Sequence, residues 1–278
     1  MIDKQQVKAH FSKNASTYYQ YANVQKRMGD VLIELLFEGG KDAHEVKNIL
    51  EIGCGTGYLT SALTELFPSA HITAVDIAPG MISEIKHKFK GCSVDFICDD
   101  IEEMELDDTY DMIISNAAFQ WFNHTSLTIR KLYDALNAGG TLCFSTFGMH
   151  TFRELTECFN EANEALAMKC PVSSGQSFYG LHELTHLCRN AVENETGNNE
   201  VMIQNRELFE YEYFDHCKDF FQSIKKIGAS NSNKNGRNNS PAFIKKVMEL
   251  YNKKFHVNNK VRASYHCLFF KIGYVGKC

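Results

Sequence analysis

The sequence predicts an α/β fold, a doubly wound and mostly parallel sheet with helices on both faces, and three observations predict it. Short runs rich in apolar and β-branched residues, Asn48–Ile52, His71–Val75, Val94–Cys98, Tyr110–Ser115 and Thr141–Phe147, alternate with segments whose apolar residues recur at helical spacing. The first run ends in the glycine turn Gly53-Cys54-Gly55-Thr56-Gly57, and a helical pattern over Tyr58–Phe67 follows at once. The first three runs each carry acid at the end: Glu51, then Asp76, then Asp99-Asp100. Ligands of such sheets bind outside the carboxyl ends of the strands.

Taken in order, the chain opens with Phe11, Ala15, Tyr18, Ala22 and Gln25 at steps of three and four, one face of a helix. Residues 1–28 are therefore expected to form an amphipathic lid, with Tyr18 and Gln25 aimed at a ligand beneath it. A second helix near Val24–Phe37 and the pair Gly39-Gly40 precede the first strand.

Glycines at alternate positions let the backbone approach a ligand where a Cβ would collide. The spacing Gly-x-Gly-x-Gly differs from the dinucleotide form, and Glu51 just before it disfavours a pyrophosphate; a cationic ligand fits better. Asp76, 21 residues after Gly55, is placed to accept both hydroxyls of a ribose. Asp99-Asp100-Ile101 offers acceptors for an adenine amino group beside an apolar wall.

Helices are expected around Gly80–Phe89 and Leu127–Leu136, the latter stopped by Asn137 and Gly139-Gly140. The fourth strand delivers Ser115-Asn116-Ala117-Ala118-Phe119-Gln120-Trp121, small residues for close backbone approach and then an aromatic-amide wall around a substrate, including the one tryptophan. The fifth leads to His150 and Arg153, either of which could meet an anionic substrate. Residues of about 150–200 read as helices capping the active edge, with a loop over Glu193–Glu200. Leu208–Phe214 alternates like a strand, Asp215–Ile227 reads as a helix, and Gly228–Ser240 as a polar loop. Pro241 opens a helix to about Phe255, and Val261–Tyr274 reads as a strand antiparallel to its predecessor. One domain accounts for the 278 residues.

Hydrophobic residues make up 44%, enough for a core, yet no apolar run approaches the roughly 18 residues of a membrane span. The polar N-terminus is unlike a secretion signal. Ten cysteines are scattered singly without a Cys-x-x-Cys pair, so reduced thiols in a cytoplasm are expected, and no metal site. The net charge of −5 is uneven: residues 200–278 hold 14 basic against 7 acidic residues, leaving 15 against 27 for the rest. From Lys225 to Arg262, ten basic residues face one acid, Glu249, the footprint of an acidic partner. Nucleic acid is disfavoured because the polar loop lacks interleaved aromatics.

The glycine turn and the three acidic strand ends together resemble the S-adenosylmethionine site of class I methyltransferases. A closer resemblance follows from Phe11-x-x-x-Ala15-x-x-Tyr18, Ala22-x-x-Gln25, Ser115–Trp121, Phe144–Gly148 with Phe152–Leu155, and Phe220-x-x-Ser223-Ile224-Lys225-Lys226-Ile227-Gly228-Ala229. These look like the malonyl-acyl-carrier-protein O-methyltransferases of biotin synthesis, over almost the whole chain. The trans-aconitate methyltransferases share the Asn-Ala-x-x-Gln-Trp element, so a small free polycarboxylate stands as the alternative substrate, and a non-catalytic binding subunit as another. The resemblance implies a seven-stranded sheet and a cofactor pocket of Tyr18, Tyr21, Gln25, Glu51, Gly53, Gly55, Asp76, Ile77, Met81, Asp99, Asp100, Ile101, Asn116 and Ala117. It implies a substrate pocket of Tyr18, Gln120, Trp121, Phe147 and either His150 or Arg153. It also implies S-adenosylhomocysteine as product, and a carrier protein docked on Lys225, Lys226, Arg237, Lys245 and Lys246.

Overall fold

The computed structural model describes residues 1–38, 45–169, 171–193, 201–228 and 240–274. Two helices, α1 (Lys4–Tyr21) and α2 (Asn23–Phe37), lead into an alternating series. It comprises β1 (Asn48–Ile52), α3 (Tyr58–Leu66), β2 (His71–Asp76), α4 (Pro79–Lys86), β3 (Val94–Cys98), β4 (Tyr110–Ser115), α5 (Thr125–Asp134) and β5 (Leu136–Phe147). Then come α6 (Arg153–Ala165), α7 (Leu181–Val192), β6 (Val201–Phe214), α8 (Cys217–Lys226), α9 (Pro241–Lys254), β7 (His256–Val257) and β8 (Lys260–Tyr274).

β1 lies inside the sheet because four of its five residues are apolar or buried on both faces, the pattern of a covered parallel strand. The strand order is β3-β2-β1-β4-β5-β8-β6, with the short β7 on β8. Strands β3 to β5 are parallel, and β8 runs antiparallel to both β5 and β6. The expected final strand thus inserts between β5 and β6. Alternate residues feed two cores: Ile49, Met112, Cys143 and Phe269 meet α2, α3, α6 and α9 on one face, while Leu50, Ile113, Leu142 and Phe270 meet α5 and α7 on the other.

Two features shape the carboxyl edge. β5 ends at Phe147 opposite Cys267, yet β8 keeps pairing with β6 out to Val261 and Phe214, so a two-stranded ribbon projects past the edge. The stretch expected as a cap contributes α6 to one face and α7 to the other. What crosses the edge is the segment between them, where the Gln176 carboxamide donates to the Gln120 carbonyl and Phe178 meets Phe147 edge-on at 6.3 Å.

The expected helix stop at Asn137–Gly140 is instead the entry of β5: α5 ends at Asp134, and Leu136 already pairs with Tyr110. Most of the loops expected over Glu193–Glu200 and Gly228–Ser240, and Gly39-Gly40, lie outside the described residues. No helix among the described residues is long and apolar enough to cross a membrane. The buried ammonium of Lys271 on β8 donates to the carbonyls of Leu35 (3.2 Å) and Leu36 (2.8 Å), fixing the far end of α2.

Candidate active site

The turn after β1 takes left-handed angles at Gly53 (φ 72°), Gly55 (53°) and Gly57 (82°). Gly53 could not be replaced without displacement, since a Cβ there would stand 2.7 Å from the Cβ of Ala118. The Gly53 and Cys54 amides donate to the Val75 carbonyl at 2.8 and 3.1 Å, which pulls the turn against the end of β2. There Asp76 accepts the Gly55 amide on one oxygen (2.9 Å) and the Ala78 amide on the other (2.8 Å). Burial pushes its carboxyl up to about 6, while the two amides oppose that shift.

Above these residues opens a cavity of two lobes. The larger, about 670 Å³ with its open mouth, is lined by Tyr18, Gly53, Gly55, Asp76, Ile77, Met81, Asp99, Asp100, Ile101, Asn116, Ala117 and Trp121. The smaller, about 410 Å³, shares Tyr18, Gly53, Gly55 and Asn116 and adds Gln25 and Glu51. Thirteen of the fourteen residues expected around the cofactor thus face one space.

α1 closes it. Phe11 meets Trp121 at 5.5 Å and Tyr18 at 6.1 Å, both edge-on, and the start of the helix is clasped to the β3 loop. The Lys4 ammonium lies 3.0 Å from Asp100 and 2.6 Å from Glu102, while the Ile2 amide donates to Asn123 at 2.7 Å. Lys4 and Val7, which also line the cavity, were legible: the face through Phe11, Ala15 and Tyr18 runs back to them in steps of three and four. Behind the loop, Lys131 donates to the carbonyls of Ile101, Glu102 and Met104, so Asp100 and Ile101 ride on an anchored turn.

Asn116 faces the cavity but spends its carboxamide on the fold, donating to the Gln25 carbonyl (2.8 Å) and accepting from Ser145 (2.6 Å). It joins α2 to the ends of β4 and β5. Ala117, at φ 51°, donates its amide to Ser145 and holds the tight approach expected of small residues here.

Glu51 is 1% exposed and accepts the Thr60 hydroxyl at 2.6 Å. Burial pushes its carboxyl up to about 8, against the pull of Thr60, so below that pH it is largely protonated. A ligand ammonium placed beside it favours the carboxylate, and binding then releases a proton. Affinity for S-adenosylhomocysteine should therefore climb as pH rises from about 6.5 to about 8, by up to tenfold per unit. In Glu51→Gln that slope should vanish; calorimetric titration at several pH values measures it.

Five expected site residues line neither lobe. The Tyr21 ring lies 4.3 Å beneath the Lys226 ammonium, which also donates to its hydroxyl at 2.6 Å; it shares the face of α1 that turns Thr17 toward the Lys226 carbonyl, on the α8 side of the lid. Gln120 folds back on its own turn, donating to the Ala117 carbonyl (2.5 Å) and accepting from Thr146 (3.1 Å). Phe147 packs between Phe178 and Tyr265, outside the lining of both lobes. His150 and Arg153 are drawn to the projecting ribbon. The His150 amide donates to His266 Nδ1 (3.3 Å), its ring stacks on Phe209, and the Arg153 guanidinium lies 5.4 Å over the same ring. Gly148 allows this course, since a Cβ there would fall 2.4 Å from the His266 ring.

Residues 49–140 match the family model described as a methyltransferase domain. The malonyl-acyl-carrier-protein O-methyltransferase of Acetivibrio thermocellus is 44% identical over 97% of this chain and 93% of its own length. The enzyme of that name from Priestia megaterium is 45% identical over 98% of both chains, and that of Bacillus anthracis 42% over the whole of both. Among solved structures, the YcgJ protein of Bacillus subtilis matches with a TM-score of 0.58 at 15% identity, covering 88% of this chain and 98% of its own. The plantazolicin methyltransferase BamL, solved with SAH, matches at 0.50 and 16%, covering 96% and 97%. Both likenesses are of fold.

Proposed function

The chain belongs to the malonyl-acyl-carrier-protein O-methyltransferase family, and on that premise we infer that it moves a methyl group from S-adenosylmethionine to the free carboxylate of a malonyl thioester on a carrier protein, a step of biotin precursor synthesis. The observation that carries the cofactor side is the Asp76 carboxylate, held at the cavity floor by the Gly55 and Ala78 amides beside a glycine whose Cβ would collide. That arrangement fits a nucleoside sulfonium: a ribose-accepting carboxylate, a bare backbone approach and a buried acid, Glu51, for an ammonium. Of the two β3-end acids, Asp99 has no ion-pair partner among the described residues, whereas Asp100 is engaged by Lys4; Asp99 is the freer acceptor for an adenine amino group.

When bound, S-adenosylmethionine would supply an electrophilic methyl on sulfur for the substrate carboxylate, with S-adenosylhomocysteine as the leaving group. A malonyl carboxyl, with a pKa near ~4, is already ionised at neutral pH, so no residue need remove a proton. The protein's part is alignment and exclusion of water. Tyr18, Phe11 and Trp121 roof the cavity, and burial pushes the Tyr18 hydroxyl far above its ordinary value, so it stays a neutral donor.

The carrier would dock on α8 and α9, where Lys225, Lys226 and Lys245 are exposed and Lys246 is half-buried; Arg237 lies outside the described residues. Lys226 also touches Tyr21, so this surface abuts the lid. Reversing Lys225 and Lys226 to Glu should raise the KM for malonyl carrier protein about tenfold or more and leave a short malonyl thioester unaffected. Equal effects on both substrates would remove the docking surface from the account. Turnover of malonyl carrier protein compared with free trans-aconitate tests the substrate class, and a preference for the free acid would overturn the proposal.

A further inference from the structure

One wall of the cavity is a turn held from behind. After β4 the chain runs Asn116-Ala117-Ala118-Phe119-Gln120-Trp121, and Asn116, Ala117, Ala118 and Trp121 line the larger lobe. Ala117 sits at φ 51°, a left-handed angle that a residue with a Cβ adopts only at a cost. The next residue presses on the glycine turn, its Cβ 2.7 Å from where a side chain on Gly53 would begin. Such a conformation persists only where its surroundings fix it, and strain of this kind clusters at functional sites.

What fixes it is a pair of hydroxyls on β5, neither of which lines the cavity. Ser145 and Thr146 are buried, and as neighbours on a strand they point to opposite faces of the sheet. The Ser145 hydroxyl donates to the Asn116 carboxamide oxygen at 2.6 Å and accepts the Ala117 amide at 3.0 Å. The Thr146 hydroxyl donates to the Gln120 carboxamide oxygen at 3.1 Å, and the NH₂ group of Gln120 donates to the Ala117 carbonyl at 2.5 Å. The strained residue is thus held at its amide by Ser145 and at its carbonyl by Gln120, which Thr146 holds. The backbone carbonyl of Gln120 accepts from Gln176, so the segment crossing the edge is tied to the same turn. Leu142, Cys143 and Phe144, just before on β5, feed the two cores; packing the strand calls for no hydroxyl.

We propose that Ser145 and Thr146 are positioning residues for methyl transfer, setting the 116–121 wall against which donor and acceptor are aligned. This rests on the methyltransferase reading of the cavity and holds for either class of carboxylate acceptor. With no proton to remove, the rate depends on alignment, and a misplacement of about 1 Å can cost about 100-fold. Each hydroxyl acts through the turn.

The test uses the full chain and its one tryptophan, Trp121, at the end of the turn. In Ser145→Ala and in Thr146→Val, kcat with malonyl carrier protein should fall roughly 10- to 100-fold, while the Kd for S-adenosylhomocysteine stays within about threefold and the thermal midpoint within a few degrees. Without ligand, both variants should show Trp121 emission at longer wavelength and stronger acrylamide quenching, since a released turn exposes the ring. Thr146→Ser keeps the hydroxyl and should restore kcat to within about threefold of the parent. A parent-like kcat in either variant, whatever its thermal midpoint, would leave the hydroxyls a structural role alone and overturn the inference, as would an unmoved Trp121 emission. A loss of S-adenosylhomocysteine affinity as large as the loss of kcat would overturn it too, as would a Thr146→Ser enzyme as slow as Thr146→Val. Should Ser145→Ala fail to fold, the two Thr146 variants carry the test. Failure of the unaltered protein to bind S-adenosylhomocysteine would instead bring down the methyltransferase reading of the cavity.

Discussion

Asp76→Asn should weaken S-adenosylhomocysteine binding by about 10²–10³-fold while the thermal midpoint stays within a few degrees. Both oxygens of Asp76 are engaged, one by the Gly55 amide and one by the Ala78 amide, and the carboxylate fixes the turns after β1 and β2 against each other. An asparagine keeps one acceptor and turns an NH₂ group toward the other amide, so one turn must shift. A ribose would lose charge-assisted bonds worth roughly 1.5–3 kcal/mol each, and two such losses, taken near the low end because asparagine keeps one acceptor, give the stated range. The residue is at the cavity floor and outside both hydrophobic cores, so the fold should persist. Calorimetric titration and circular dichroism on one sample separate the two effects; a Kd within threefold of the parent would show that Asp76 is no ligand of the ribose.

The largest effect on stability should come from Glu154. It is 1% exposed on α6, and its carboxylate accepts the Ser264 amide (3.1 Å), the Ser264 hydroxyl and the Arg262 guanidinium (3.1 Å). It ties α6 to the base of the projecting ribbon. Glu154→Ala leaves a buried amide and hydroxyl unpaired and strands the arginine. Breaking a buried pair costs about 3–5 kcal/mol, and the low end applies because the Arg262 side chain is 30% exposed and can turn to water. A loss of about 3 kcal/mol in urea unfolding is expected, near 10 °C in thermal midpoint for a chain of this size. Affinity for S-adenosylhomocysteine should hold, since Glu154 lines neither lobe. A loss below about 1 kcal/mol would mean the cluster is incidental.

What could be read from the sequence was local. β1, its glycine turn and the acids at Asp76 and Asp99 were legible because each depends on a few adjacent residues, and parallel pairing then brings three strand ends together without further instruction. The face Phe11, Ala15, Tyr18 was legible for the same reason.

The packing of the residues expected on the substrate side depends on distant partners. His150 and Arg153 follow β5, where Gly148 lets the chain fold against His266, more than a hundred residues on, and both side chains pack on Phe209 of the ribbon. Nothing near residue 150 announces that the ribbon outruns β5. Gln120 shows the same on a smaller scale: its side chain bonds its own turn and Thr146, a pairing that local spacing does not announce. Gly139-Gly140 signalled a stop, whereas the pairing of Leu136 with Tyr110 makes that stretch the entry of a strand.

Methyl transfer to a carboxylate is addressed most directly by one measurement. The protein is incubated with malonyl carrier protein and S-adenosylmethionine bearing a labelled methyl, and the recovered carrier is treated with mild base. The prediction is one label per malonyl group, released as methanol at the rate of an ester. Label that resists base, or a carrier that stays unlabelled while a free polyacid is methylated, would contradict it.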